Sequence, residues 1–171
     1  EQVNAWCMPG GKIVVYSGIL PVTLNEAGLA TVMGHEVSHA LANHGAQRMS
    51  AAKLQQLGAV GVTLATAKQG EAKQNQWLEY YGIGSQVGGM LPFSRSHESE
   101  ADKIGLALMA IAGYDVEESV LFWGRMAAKS SGKSQPEFMS THPSDATRIA
   151  NLKALIPEAK AIALKVGIIS N

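Results

Sequence analysis

The pentapeptide His35-Glu36-Val37-Ser38-His39 constrains this chain more than any other stretch, because it dictates which side of a helix must hold polar groups. It lies in an apolar run from Asn25 to about Gln47, where Leu29, Val32, Met33, Val37, Ala40 and Leu41 recur at helical spacing. At 3.6 residues per turn, positions four apart lie about 40° from each other, so both imidazoles can reach one ion. Glu36 projects beside them. Two neutral imidazoles, with a carboxylate able to take a proton from water, form the H-E-x-x-H arrangement of a zinc site. A catalytic zinc keeps three protein ligands and one open position, so the rest of the chain has to supply a third ligand.

Bulk properties narrow where that ligand comes from. Cys7 is the single cysteine among 171 residues, which excludes an intrachain disulfide and a thiolate-rich structural zinc site. Any metal site is therefore built from histidine and carboxylate. With 46% hydrophobic and 16% charged residues the chain can bury a core, and residues 1–171 read as a single domain. Lys+Arg and Asp+Glu both number 14, so no net charge favours nucleic acid or an anionic membrane surface. No apolar run has the length of a membrane span; Leu57 to Ala67 is the best candidate and is too short. The chain opens on an extended segment with neither an initiator Met nor a signal peptide, and so reads as a mature or trimmed product lacking an upstream targeting segment.

Taken in order, Val3 to Cys7 and Lys12 to Ser17 are short β-type runs around Met8-Pro9-Gly10-Gly11, which predicts a β-hairpin. Asn25-Glu26 starts the helix that carries the pentapeptide. On that helix His44 falls about 140° from His39, which points to a structural role or one outside the ligand set. A second helix is expected from Met49 to Ala67, then a polar stretch from Gln69 to Gln76. The glycines between Trp77 and Leu91 suggest close backbone approach or mobility. A helix from Pro92 to Ala112 follows, with Ser94 or Ser96 as its cap and Gly113 as its stop. Asp115 to Lys129 forms another helix, Ser130 to Gln135 a polar linker, and Pro143 to Leu155 a last helix with Pro143 in its first turn. The tail from Pro157 carries no clear signal.

Glu98 and Asp102 are the carboxylates best placed to complete the site, four apart on one helix face. Alone, the pair reads more readily as a solvated face beside Arg95 and Lys103. As a site, Glu98 would bind the ion and Asp102 would accept the second ring N–H of a ligating histidine. Glu100 projects to the opposite side and reads as a surface residue.

The string HEVSHALANH, followed some sixty residues later by SRSHESEADKIGLALMAIAGYD, resembles the M48 family of zinc metallopeptidases. Asn4-Ala5-Trp6 with Pro9-Gly10-Gly11 and Lys12 to Tyr16, and Thr141-His142-Pro143 with Arg148-Ile149, resemble further motifs of that family in the same order. The resemblance implies an α+β, mostly helical zincin-like domain with a small β-hairpin before the HExxH helix. It implies one catalytic Zn2+ held by His35, His39 and Glu98, with Glu36 as general base and Asp102 supporting His35. The expected reaction is peptide-bond hydrolysis in misfolded or envelope proteins, Glu36 taking a proton from zinc-activated water and passing it to the leaving amine.

In zincins of this kind the substrate lies as an extra strand on a sheet edge, for which Asn4, Ala5, Trp6, Cys7 and Met8 are the candidates. His142 would either stabilise the oxyanion or take the fourth zinc position and shut the site. Arg148 would pair with a site carboxylate or face the substrate. Lacking the membrane helices of other branches, the chain is similar to the soluble, exported bacterial branch. That implies a periplasmic or cell-envelope location, a polypeptide substrate, and peripheral contact with the membrane or envelope machinery. Two competing readings are a chaperone-like polypeptide-binding module with a structural zinc and a zinc hydrolase of non-peptide substrates.

Overall fold

The computed structural model describes residues 2–8, 10–130, 136–142 and 146–166. It is mostly helical with one small antiparallel sheet, as the α+β zincin-like reading requires. Strands β1 (Ala5–Cys7) and β2 (Ile13–Val15) pair with Ala5 opposite Val15 and Cys7 opposite Ile13. A 3₁₀ turn and the short α1 (Leu20–Thr23) lead to α2 (Glu26–Leu41). Then come α3 (His44–Thr66), α4 (Glu71–Ser85), a π turn over Gln86–Met90 and α5 (Leu91–Ile111). The chain ends with α6 (Glu117–Ser130), α7 (Glu137–Thr141) and α8 (Ala146–Lys165). No helix among the described residues is long and apolar enough to cross a membrane.

Two compact units result: residues 1–42 with 98–171, and residues 43–97. The first contains the apolar core, in which Ile19, Val32, Phe122, Trp123, Met126 and Phe138 are almost fully buried. Helix α2 starts where the sequence places it, with the Asn25 side chain accepting the Gly28 N–H at 2.7 Å as an N-cap. Gly28 is required there, since a Cβ would lie 2.0 Å from the Thr23 carbonyl oxygen. Helix α6 is fixed at its start by the Asp115 carboxylate, which accepts the Glu117 N–H at 3.0 Å. After α5, Gly113 takes φ +81° and acts as the predicted stop, while the Tyr114 N–H closes back on the Met109 carbonyl.

Several boundaries differ from the sequence reading. The run from Asn25 to Gln47 breaks after Leu41, because Asn43 adopts a left-handed φ of 56° that asparagine tolerates. His44 therefore opens α3 and has no angular relation to His39. It is buried in the second unit and stacks on His97 with ring centroids 4.1 Å apart. The stretch from Glu71 to Leu91 is helical and π-helical, and nothing lies within 4 Å of a Cβ built on Gly82, Gly84, Gly88 or Gly89. Close backbone approach does not explain those glycines.

Helix α5 begins at Leu91, so Ser94 and Ser96 lie inside it rather than at its cap; the Ser96 hydroxyl donates to the Phe93 carbonyl at 2.8 Å. The last helix continues through Pro157 to Lys165 because Leu152, Ile156, Ala159 and Ala163 repeat at helical spacing and are buried. Pro9, Pro143 and the linker at 131–135 lie outside the described residues.

Candidate metal centre

Helix α2 presents His35, Glu36 and Ser38 to the interior, and α5 meets it at a pair of glycines. A Cβ on Gly105 would lie 3.1 Å from both the Gly34 carbonyl carbon and the His35 nitrogen, and one on Gly34 would lie 3.1 Å from the Gly105 carbonyl oxygen. The helices thus pack backbone to backbone beside the first histidine. Gly105 shares a face with Asp102 and Glu98, three and seven residues earlier, so this approach carries both carboxylates to the pentapeptide.

The donor atoms converge. His35 Nε2 lies 3.0 Å from His39 Nε2, 3.2 Å from Glu98 Oε2 and 3.2 Å from His142 Nδ1. Glu98 Oε1 is 3.3 Å from His39 Nε2, and its Oε2 is 3.0 Å from His142 Nδ1. One donor atom from each of His35, His39, Glu98 and His142 lies within 4.8 Å of the other three. Four ligand atoms about 2.1 Å from a tetrahedral zinc lie about 3.4 Å apart, so the cluster fits that ion.

Behind His35 stands a second layer. Asp102 Oδ1 is 3.0 Å from His35 Nδ1, which leaves Nε2 as the ring's donor atom toward the cluster. Arg148 clamps the same carboxylate through both oxygens, Nε to Oδ2 at 2.8 Å and Nη2 to Oδ1 at 2.6 Å. Its guanidinium carbon sits 3.5 Å over the centre of the Trp123 ring. Arg148 thus lies on the Asp102 carboxylate. Trp123 also meets the His35 ring edge-on at 5.8 Å, and Phe138 packs against both Trp123 and His142.

These groups set their own ionisation. Burial opposes charge on His35, but the hydrogen bonds its ring donates to Asp102 and Glu98 prevail and raise it to about 9. Burial likewise opposes charge on Glu98 and Asp102; His142, His35 and His39 nevertheless hold Glu98 far below the usual range, and His35 with Arg148 lower Asp102. Burial lowers His142 to about 4, helped by the charges of His35 and His39. Burial raises Glu36 to about 7, and the charge of Glu98 adds to it.

Glu36 Oε1 is buried without a hydrogen-bond partner, although His142 Nε2 lies 3.2 Å away. Such an oxygen is costly to leave unpaired, and water held at the cluster would satisfy it. His142 follows α7, its N–H bonded to the Phe138 carbonyl.

The expected substrate edge also lies here. Asn4 accepts the Tyr16 N–H and the Met8 N–H donates to Lys12, so the even-numbered positions face β2. Ala5 and Cys7 turn their main-chain groups to the other edge, and the Cys7 main chain favours the ionised form of Glu36. Among the described residues β1 pairs with β2 alone. Ala5 is buried, so it can offer a substrate only its main chain.

The site escaped the sequence in two places. The Gly34–Gly105 contact had a signal, because Gly105 continues the Glu98/Asp102 face. Trp123 had none, since its spacing is that of any core aromatic.

A His-Glu-x-x-His helix facing a glutamate helix, with a four-donor cluster between them, defines a zinc-metallopeptidase type of centre. The chain belongs to peptidase family M48, which it matches over residues 1–156. It is 38% identical to the mitochondrial metalloendopeptidase OMA1 of Saccharomyces cerevisiae, over 93% of this chain and 45% of that protein. It is 35% identical to the mitochondrial metalloendopeptidase OMA1 of Homo sapiens, over 94% and 32%. It is 30% identical to the beta-barrel assembly-enhancing protease of Escherichia coli, over 90% and 32%. The chain thus spans less than half the length of these relatives. No solved structure gives a significant match.

Proposed function

We propose that this chain is the catalytic domain of a zinc-dependent endopeptidase acting on cell-envelope polypeptides. The observation that carries the reading is Glu36: a buried carboxyl, poised at about 7 and lacking a partner for one oxygen, beside a His-His-Glu donor set. His35, His39 and Glu98 would hold the ion, which supplies Lewis acidity toward water and a substrate carbonyl. Glu36 takes the proton of the attacking water and delivers it to the leaving amine. Asp102 and Arg148 orient His35. The outer edge of β1 pairs with the substrate main chain, which tolerates many side chains, once the Ala5 N–H leaves the Asn4 side chain and the Cys7 N–H leaves Glu36. The family match runs across both units, which supports treating residues 1–171 as one catalytic domain. The likeness to a protease named for enhancing beta-barrel assembly supports the cell envelope as the site of action.

Glu36→Gln tests the reaction, with bound zinc and casein cleavage measured on the same sample. Retained zinc with cleavage reduced at least about a hundredfold is expected of a lost general base. Unchanged cleavage would remove Glu36 as the general base, and a zinc-loaded parent that cleaves nothing would overturn the peptidase reading in favour of a binding module with a structural zinc.

A second reading concerns regulation. With Nδ1 in the donor cluster and Nε2 against Glu36, the His142 ring stands where the attacking water must be. We infer a closed state in which His142 completes the ligand set. His142→Ala should then cleave casein faster and bind zinc more weakly; unaltered activity and affinity would end this reading.

A further inference from the structure

Residues 43–97 lack what the other unit has. Of nineteen exposed large apolar side chains among the described residues, ten belong to this segment, and none of the buried hydrophobic core does. Its buried residues are His44, Thr66 and His97, all polar. Helices α3 and α4 are joined by polar and aromatic contacts: Gln55 to Ser85 at 2.8 Å, the Tyr81 hydroxyl to the Gln55 carbonyl, and Gln74 to the Thr63 carbonyl. An apolar surface of this extent on a hairpin without its own apolar core marks an interaction site.

Charge identifies the occupant. Residues 43–97 contain Arg48, Lys53, Lys68, Lys73 and Arg95 against only Glu71 and Glu79, a net +3 in a chain of net zero. On α3, Met49, Lys53, Leu57, Val60 and Leu64 project within an arc of roughly 80° at 100° per residue. On α4, Lys73 shares a stripe with Trp77 and Tyr80, while Glu71 and Glu79 project more than about 100° away from it. Lysines within an apolar stripe can lay their stems along it and lift their ammonium groups to a phosphate layer. Trp77 and Tyr80, both half-exposed, are the amphipathic aromatics suited to the level of lipid headgroups.

We propose that the α3–α4 hairpin docks in the plane of an anionic phospholipid bilayer, with its apolar stripes in the acyl boundary and Lys53, Lys68 and Lys73 among the headgroups. This gives the peripheral membrane contact expected from the sequence a definite element and lipid class, and it does not depend on the peptidase reading.

The test is sedimentation of the full chain with phosphatidylcholine vesicles and with equimolar phosphatidylcholine–phosphatidylglycerol vesicles at low ionic strength. Preference for the anionic vesicles is expected, with a blue shift in emission that disappears in Trp77→Phe. Each lysine is worth about 1 kcal/mol near such a surface, so the triple change Lys53→Gln, Lys68→Gln, Lys73→Gln should weaken partitioning about a hundredfold. Leu57→Glu with Leu64→Glu should abolish it. Unchanged zinc content and thermal midpoint confirm that these exposed substitutions leave the fold intact.

Absent partitioning, equal partitioning to both vesicles, or retained binding by the glutamate variant would each overturn the proposal. So would a dimer in solution that Leu57→Glu dissociates, since a second copy would then cover the face. No arm reads peptide cleavage, so failure here leaves the peptidase reading standing.

Discussion

Glu36 shows how a reactive residue is held against its own stability. Burial moves its carboxyl from 4.5 to about 7, so folding favours the protonated form. That contribution is fully present below pH 4.5 and is lost as the pH rises through about 7. At 1.4 kcal/mol per unit, the ionised carboxylate costs the metal-free fold on the order of 3 kcal/mol at pH 8. Metal-free Glu36→Gln should therefore gain stability over the parent as the pH is raised from 4.5 to 8, measured by urea denaturation. A pH-independent difference would mean that Glu36 is solvated in the folded state.

The opposite sign holds behind His35. Asp102 is kept ionised by His35 and Arg148 against the cost of burial, and removing the arginine strands that charge. Arg148→Ala should cost about 3–5 kcal/mol in denaturant unfolding. Arg148→Lys should recover only part, since a point charge cannot hold both carboxylate oxygens or lie flat on Trp123. Asp102→Asn should weaken zinc binding about 10–100-fold in a competition titration with a chelating dye, because the ligand's ring plane and tautomer are no longer fixed.

At the scale of elements, one helix crossing positions the site. Gly34 and Gly105 let α2 and α5 touch through their backbones, and backbone cannot rotate aside as a side chain can. Gly105→Ala should destabilise by about 1–3 kcal/mol and lower zinc affinity, since the added methyl presses on the His35 nitrogen. Gly84→Ala meets nothing within 4 Å in α4 and should stabilise by about 0.5–1 kcal/mol. Thermal midpoints and zinc titrations of the two variants separate crowding from helix propensity.

The same contrast explains what the sequence could convey. His35, Glu36 and His39 were legible in the pentapeptide and its helical spacing; spacing also put Glu98 and Asp102 on one face, but only the resemblance to the M48 family favoured them over a solvated face. The hinge at Asn43 was not legible, since a single residue in a left-handed conformation leaves the apolar pattern on either side intact. The long α8 was missed for a related reason: Pro157 reads as a stop, yet burial of Ile156, Ala159 and Ala163 carries the helix through it. Tertiary packing decided both.

For the whole molecule, the two units differ in what keeps them folded. Residues 1–42 with 98–171 combine a buried apolar core with a donor cluster whose metal would bind only the folded state. At a free zinc concentration a thousandfold above Kd, such binding adds about 4 kcal/mol. Residues 43–97 bury no large apolar side chain among those described, and their amides should open at low free energy. Hydrogen exchange of the zinc-loaded protein should find α2 and residues 98–111 strongly protected and α4 weakly so. Chelation should then accelerate exchange in α2 and 98–111 while leaving α4 nearly unchanged, because the stability lost belongs to the unit that holds the ligands. Equal acceleration in α4 would show instead that both segments unfold as a single cooperative body, the hairpin drawing its order from the metal centre.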